Sequence, residues 1–131
     1  LTRSSAASDV YKRQKENNIR LGFSTSTTIN NVNAVFETLS GQISKEDFDF
    51  IGNKSFVENE KPHPEIYRIT LENLNLKKEE CLAIEDTEES SNSAVRAGIK
   101  CIAFPGEFHL DDKFDMCIKK INLLDQSIFS L

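Results

Sequence analysis

The sequence predicts an α/β protein in which helices flank a parallel sheet. Short apolar segments alternate along the chain with segments whose apolar residues recur at helical spacing. Glycine or proline follows several of these segments, where a helix or strand would end. Strands that alternate with helices pair in parallel, because each helix carries the chain back across the sheet.

The first half of the chain contains two predicted strands and one predicted helix. Residues 19–25 form a short apolar run that ends in hydroxyl residues, and residues 48–53 form a second apolar run. Between them, residues 28–40 are predicted to be helical and are followed by Gly41. The apolar positions of this helix are Ile29, Val32, Val35, Phe36 and Leu39.

The second half repeats the alternation. A polar loop leads into a helix that starts near Pro64, since proline suits the first helical turn. Its predicted apolar face consists of Ile66, Ile69, Leu71 and Leu74. Strand, helix and strand then follow over residues 81–86, 87–97 and 100–104, and a weak strand or helix is predicted around 115–124.

The bulk composition excludes several classes of protein. The chain has 131 residues, 38% hydrophobic and 28% charged, which predicts one globular domain. A net charge of -5 argues against a nucleic-acid partner, which requires a basic surface. No apolar run reaches the roughly 18 residues of a membrane span. We therefore expect a monomer with no nucleic-acid or membrane partner.

The three cysteines indicate reduced thiols. Cys81 and Cys101 fall in predicted strands and Cys117 in a predicted helix or turn, without paired spacing. This pattern is typical of core thiols in a reducing compartment, so a cytoplasmic location is predicted. His63 and His109 are too far apart to suggest a zinc site.

Residues 1–14 differ from the rest of the chain. They are rich in serine and alanine, basic, and lack an initiator methionine. A transit peptide has a similar composition, but neither a cleavage-like boundary nor a strong amphipathic face is present. We expect a non-native, adapter-derived or disordered leader, with residues 15–131 forming the C-terminal part of a larger core domain.

Three polar groups are predicted to meet at one edge of the sheet. Ligands of parallel α/β sheets bind beyond the carboxyl ends of the strands. Ser24, Thr25 and Ser26 end the first strand, and Lys61 follows the second. The adjacent acids Glu85 and Asp86 end the third, where they repel each other unless a cation lies nearby.

A hydroxyl, a lysine and two carboxylates together suggest a phosphate group with Mg²⁺. Each group alone has a simpler interpretation. The acids could stabilise the start of the next helix, the hydroxyls could cap a helix or form a turn, and Lys61 could be a solvated surface lysine. His63 is interpreted as a loop residue. The order and common edge of the groups favour the phosphate site.

The stretches LGFSTST, EKPHPEIY and CLAIEDTEESSNSAVRAGIKCIAFPGEF resemble the second, third and fourth motifs of the haloacid dehalogenase (HAD) superfamily. The branch with β-phosphoglucomutase, phosphoglycolate phosphatase and sugar-bisphosphate phosphatases is most similar. The likeness runs from Lys15 to Phe108. It implies a Rossmann-like, HAD-type core and a Mg²⁺-dependent phosphohydrolase that acts through an aspartyl-phosphate on a small phosphorylated sugar or organic acid.

The resemblance also implies a role for each site residue. Ser24 would bind the transferring phosphoryl group, and Thr25 would add a backbone N–H. Lys61 would bridge the phosphoryl group and the nucleophile. Asp86 would bind Mg²⁺, with Glu85 as a direct or water-mediated ligand.

Part of the HAD pattern is not found in the sequence. The DxDGT motif, which carries the nucleophilic aspartate at the end of the first core strand, is absent, and so is the cap domain. We therefore expect an incomplete sheet without its first core strand, a marginally stable chain, and no activity from residues 15–131 alone.

Three other functions are compatible with some of these features. A phosphosugar mutase of the same family would share every motif quoted above. A non-catalytic binding module could keep the phosphate site without the first motif. A receiver domain is disfavoured, because receivers place the acids first and the lysine last, whereas here the order is hydroxyl, lysine, acids.

Overall fold

The computed structural model describes residues 18–124, and these form the predicted α/β arrangement. The predictions for residues 1–14 lie outside the described residues. Within 18–124, no helix is both long and apolar enough to cross a membrane.

All seven elements predicted up to residue 104 are present, and the six that were predicted with both ends are shorter than predicted. They are β1 (Gly22–Ser24), α1 (Ile29–Thr38), β2 (Phe50–Gly52), α2 (Glu65–Leu74), β3 (Leu82–Glu85), α3 (Glu88–Arg96) and β4 (Lys100–Ala103). The weak tail prediction corresponds to β5 (Lys119–Lys120). Short 3-10 turns occupy 45–47, 54–56, 78–80 and 107–109.

The strands form two parallel sheets rather than one. β1 pairs with β2, so that Ser24 lies opposite Gly52. The other sheet has the order β3-β4-β5, and Glu85 lies opposite Ala103. Among residues 18–124, no strand pairs with the second edge of β1 or of β3. This agrees with the predicted incomplete sheet.

Helix α2 lies on the first sheet and also contacts α3, which packs on β3 and β4. Two glycines allow the close approach of α2. A Cβ atom at Gly22 would lie 2.9 Å from Thr70 Cγ2, and one at Gly52 would lie 2.7 Å from Ile66 Cδ1. These distances are shorter than van der Waals contact, so a larger residue would push the helix away from the strands.

The apolar faces of the helices differ slightly from the prediction. In α1, Val32 and Phe36 are buried, whereas Ile29 and Val35 are exposed. In α2, the buried residues include Tyr67 and Thr70 in addition to Ile66 and Leu74. The polar Thr70 faces the sheet because Gly22 leaves room for it, a contact between distant residues that periodicity alone does not reveal.

The core around the site combines one tyrosine with aliphatic residues and a cysteine. Ile66, Tyr67, Ala83, Ala94, Ile99 and Cys101 form one buried cluster between α2, α3 and the second sheet. Phe23, Phe36 and Phe48 pack edge to face on the opposite side of β1, with ring centroids 5.5 to 5.8 Å apart. Successive residues of β1 therefore face opposite layers, as strand geometry requires.

Candidate functional site

The structure brings Lys61, the end of β1 and the end of β3 together. Lys61 Nζ donates hydrogen bonds to the backbone oxygen of Ser24 (3.0 Å) and to Glu85 Oε1 (2.8 Å). The side chains of Lys61 and Glu85 are each only 10% exposed. Lys61 is therefore not a solvated surface lysine, and its ammonium group links two strands that do not pair with each other.

The loop that carries Lys61 is held by side chains from three directions. Glu65 Oε1 accepts from the backbone N–H of Glu58 (2.8 Å), and Glu65 Oε2 accepts from that of Asn59 (3.0 Å). The Glu58 N–H is the main reason that the pKa of Glu65 is lowered. From a second direction, the backbone N–H of Lys61 donates to Ser26 Oγ (3.3 Å). The Ser93 hydroxyl donates to the backbone oxygen of His63 (2.8 Å), which is a loop residue as predicted.

Tyr67 is a member of the site that sequence reasoning missed. Its hydroxyl donates to Glu85 Oε1, the oxygen that also accepts from Lys61. Burial, followed by the charge of Glu85 and this hydrogen bond, raises the pKa of Tyr67 well above 10.0. A buried phenol requires a polar partner, so its place beside Ile66 on a buried helix face could have signalled this role.

The hydroxyl groups at the end of β1 point in different directions. Ser24 Oγ lies 2.6 Å from Thr70 Oγ1, and the Thr70 hydroxyl donates to the backbone oxygen of Ile66. Thr70 has a single hydroxyl proton, so Ser24 must be the donor to Thr70. Ser24 therefore presents its carbonyl oxygen to Lys61 and its hydroxyl to α2.

Thr25 keeps its hydroxyl proton available. Thr25 Oγ1 accepts from the backbone N–H of Thr27 (3.1 Å), and no other hydrogen bond of this hydroxyl involves residues 18–124. The bond to Thr27 leaves the proton free to donate. The sequence predicted a phosphate contact from the Ser24 hydroxyl and from the Thr25 backbone N–H, whereas in the structure the Thr25 hydroxyl is the one with a proton left to donate.

Neither the hydroxyls of Ser24 to Ser26 nor the two acids cap a described helix, whereas Thr25 does form a turn contact with Thr27. The N-cap of α1 is Thr28, whose hydroxyl accepts from Asn31 N, rather than any residue from Ser24 to Ser26. The N-cap of α3 is Thr87, whose hydroxyl accepts from Ser90 N. Asp86 is exposed, and within the described part of the chain no hydrogen bond engages its carboxylate. Asp86 therefore does not cap α3, although its charge lies just before the first residue of that helix.

Glu85 and Asp86 provide oxygen donors of the kind that Mg²⁺ prefers. Two donors occupy Glu85 Oε1, whereas Oε2 accepts no hydrogen bond from the described residues. Asp86 lies beside Gly106, where a Cβ atom would be 3.7 Å from Asp86 Oδ2. No cluster of three or more metal-binding side chains occurs within 18–124. Mg²⁺ needs only one or two carboxylates besides water and phosphate, so these residues fit it.

Comparisons with known proteins show which family and which structures this chain is similar to. Residues 5–104 match the family described as haloacid dehalogenase-like hydrolase. Protein CbbY of Cereibacter sphaeroides is 34% identical over 106 residues, which cover 81% of this chain and 46% of that protein.

Two solved structures are similar to this chain over most of its length. The crystal structure of CbbY from Rhodobacter sphaeroides in complex with phosphate has a TM-score of 0.87 at 30% identity, and covers 93% of this chain and 54% of that one. A mutant of the same CbbY in complex with xylulose-(1,5)bisphosphate has a TM-score of 0.85 at 30% identity, and covers 90% and 52%. The chain thus spans about half the length of these relatives.

Proposed function

Since the chain belongs to the haloacid dehalogenase-like hydrolases, we propose that it provides the phosphate-binding and metal-binding part of a Mg²⁺-dependent phosphohydrolase. One observation carries the proposal. Lys61 Nζ lies between the carbonyl end of β1 and the carboxylate that ends β3, at the edge where parallel sheets bind ligands.

Lys61 would stabilise the charge of the phosphoryl group. Two protons of its ammonium group are used by Ser24 O and Glu85 Oε1, so the third is left for a phosphoryl oxygen. Because the ammonium group is nearly buried and held from two sides, it would reorganise little during the reaction. The Thr25 hydroxyl would supply a second donor.

Glu85 Oε2 and the Asp86 carboxylate would hold Mg²⁺. When bound, the ion would neutralise charge on the phosphoryl oxygens. Two adjacent carboxylates can both remain ionised beside such a cation, which accounts for the sequence of β3 and its end.

The nucleophile of the proposed reaction is an aspartate of the DxDGT type, which residues 18–124 do not contain. Its carboxylate oxygen would form a bond to phosphorus while the bond from phosphorus to the substrate oxygen breaks, and the leaving oxygen would take a proton. Water would then release inorganic phosphate and regenerate the aspartate. We expect no turnover from residues 15–131 alone.

A small phosphorylated sugar or organic acid is the proposed substrate. The CbbY structure with xylulose-(1,5)bisphosphate supports a sugar bisphosphate in particular. The segment FPGEFHLDDKF, which resembles the sugar-bisphosphate phosphatase branch, begins beside the proposed metal site, where Gly106 N donates to the backbone oxygen of Asp86 (3.1 Å).

The proposed setting is the cytoplasm, where the protein would act as a monomer. Cys81, Cys101 and Cys117 are free thiols, which supports a reducing compartment. Centrifugation under reducing conditions would test the oligomeric state.

The direct test is an assay of the complete reading frame that contains this chain. Phosphate release from a panel of sugar phosphates should require Mg²⁺, and Lys61→Ala should abolish it. Lys113→Ala, which removes an exposed lysine, is the matched control. A phosphorylated aspartate detected by mass spectrometry would support the covalent step.

The same assay separates the alternatives. Isomerised sugar phosphate without net phosphate release, followed by ³¹P NMR, would indicate a phosphosugar mutase. Phosphate binding that depends on Lys61, without turnover by the complete protein, would indicate a non-catalytic binding module.

A further inference from the structure

We propose that Tyr67 is a positioning residue that gives the two oxygens of Glu85 different roles. In this arrangement Oε1 accepts hydrogen bonds from Tyr67 and Lys61, and only Oε2 would bind the metal ion. The inference rests on the proposed function, because it concerns the same Mg²⁺ site.

The hydrogen bonds at Glu85 carry the inference. Lys61 Nζ and the Tyr67 hydroxyl both donate to Oε1. A carboxylate oxygen has two lone pairs, so two donors occupy Oε1 fully. Within residues 18–124, no donor approaches Oε2. A metal ion at this edge would therefore be bound by Glu85 through a single oxygen.

Tyr67 is held rigidly enough to act in this way. Its side chain is buried in the cluster formed with Ile66 and Cys101, on a helix that packs against both β1 and β2. Its ring also lies against the ammonium group, with Lys61 Nζ 5.3 Å from the ring centroid. Tyr67 therefore contacts both members of the Lys61–Glu85 pair and restricts rotation of the carboxylate.

The first consequence concerns Tyr67→Phe. Without the hydroxyl, Lys61 can bond either oxygen, and the carboxylate is no longer held in one orientation. Loss of a group that orients a metal ligand typically weakens metal affinity about 10- to 100-fold. We expect a loss of at least about tenfold for this variant.

The second consequence concerns Glu85→Gln. Two donors at the Oε1 position would hold the amide oxygen there, and the amide NH₂ would then occupy the position of Oε2. An NH₂ group cannot bind a metal cation. Glu85→Gln should therefore weaken metal binding as much as Glu85→Ala does, whereas a freely rotating amide would retain part of the affinity.

A Mn²⁺ titration of the 131-residue chain tests both consequences. Mn²⁺ stands in for Mg²⁺, and its paramagnetic broadening of amide NMR signals detects even millimolar binding. Ser91→Ala is the matched control, because it removes a buried hydroxyl that donates to the backbone oxygen of Glu88 and not to Glu85 or Asp86. Dispersed amide spectra establish that each variant is folded.

In the unmodified chain, broadening should centre on residues 85, 86 and 106. Tyr67→Phe should move the midpoint to at least about tenfold higher Mn²⁺, while Ser91→Ala leaves it unchanged. Equal midpoints for Tyr67→Phe and the unmodified chain would overturn the role of Tyr67 and leave the proposed function intact. Broadening centred away from Glu85 and Asp86 would overturn the metal site and the inference with it.

Discussion

At the scale of single residues, the position of a few protons decides what each side chain can do. The Ser24 hydroxyl donates its proton to Thr70, whereas the Thr25 hydroxyl accepts from Thr27 and keeps its proton. The Tyr67 phenol donates to Glu85. The adjacent hydroxyl residues Ser24 and Thr25 thus have different hydrogen-bond partners, as expected at the end of a strand, where successive side chains point to opposite sides.

The two hydroxyls should contribute unequally to phosphate binding. Thr25→Val removes the available donor and keeps the shape of the side chain, so it should weaken phosphate affinity by roughly tenfold, the equivalent of one charge-assisted hydrogen bond. Ser24→Ala should have a smaller effect on affinity, because its hydroxyl faces α2. Isothermal titration with inorganic phosphate compares them, and a larger loss for Ser24→Ala would contradict this assignment.

The folded chain should lose stability at high pH. Burial raises the pKa of Tyr67 well above 10.0 and that of the Cys101 thiol well above 9.0. The folded state therefore holds protons that the unfolded state has lost above those values, so the free energy of unfolding falls as pH rises past about 9. Thermal melts between pH 7 and 11 measure this loss of stability. In Cys101→Ala, stability should fall less steeply as pH rises. A melting temperature that does not change between pH 7 and 11 would contradict this prediction.

Sequence reasoning predicted Lys61, Glu85 and Asp86 because the carboxyl ends of parallel strands share one edge. It missed Tyr67 and the direction of the Ser24 hydroxyl. The Tyr67 hydroxyl bonds Glu85 across from α2 to the second sheet. The Ser24 hydroxyl faces Thr70 because α2 approaches β1 closely, which Gly22 permits. A contact between residues more than forty positions apart leaves no periodic signal in the chain.

At the scale of elements, the loop between β2 and α2 is shaped by the first residue of the helix that follows it. Glu65 accepts from the backbone of Glu58 and Asn59 and so folds the chain that precedes Lys61. The structured elements are shorter than predicted because their ends join such loops, whose polar contacts are set by tertiary structure rather than by local preference.

Glu65→Ala should loosen this loop without unfolding α2. The N–H groups of residues 58 and 59 would lose their acceptor, so their hydrogen exchange should accelerate and the affinity of Lys61 for phosphate should fall. Glu72→Ala, an exposed acid later in the same helix, is the matched control. Unchanged exchange at residues 58 and 59 would show that Glu65 does not shape the loop.

At the scale of the whole molecule, the Lys61–Glu85 pair connects two sheets whose facing strands, β1 and β3, do not pair within residues 18–124. Helix α2 contacts the first sheet on one side and α3, which packs on the second sheet, on the other. An ion pair at this position should therefore matter for stability as well as for binding.

Lys61→Met should be costly because it leaves the nearly buried Glu85 carboxylate without its counterion. Removing one partner of a buried pair typically costs about 3–5 kcal/mol. The double variant Lys61→Met/Glu85→Gln should recover part of this loss, since no unpaired charge remains. Urea unfolding measures both, with Lys113→Met as the exposed control. A double variant less stable than Lys61→Met would contradict this account.

The most direct test of the phosphate site is an amide NMR titration of the chain with inorganic phosphate, with and without Mg²⁺. The site proposed at the ends of β1 and β3 predicts the largest shifts at residues 25, 26, 61 and 86, and a higher phosphate affinity when Mg²⁺ is present. Thr25→Val should reduce these shifts. Shifts centred instead on the exposed arginines Arg68 and Arg96, with no effect of Mg²⁺, would contradict the proposed function.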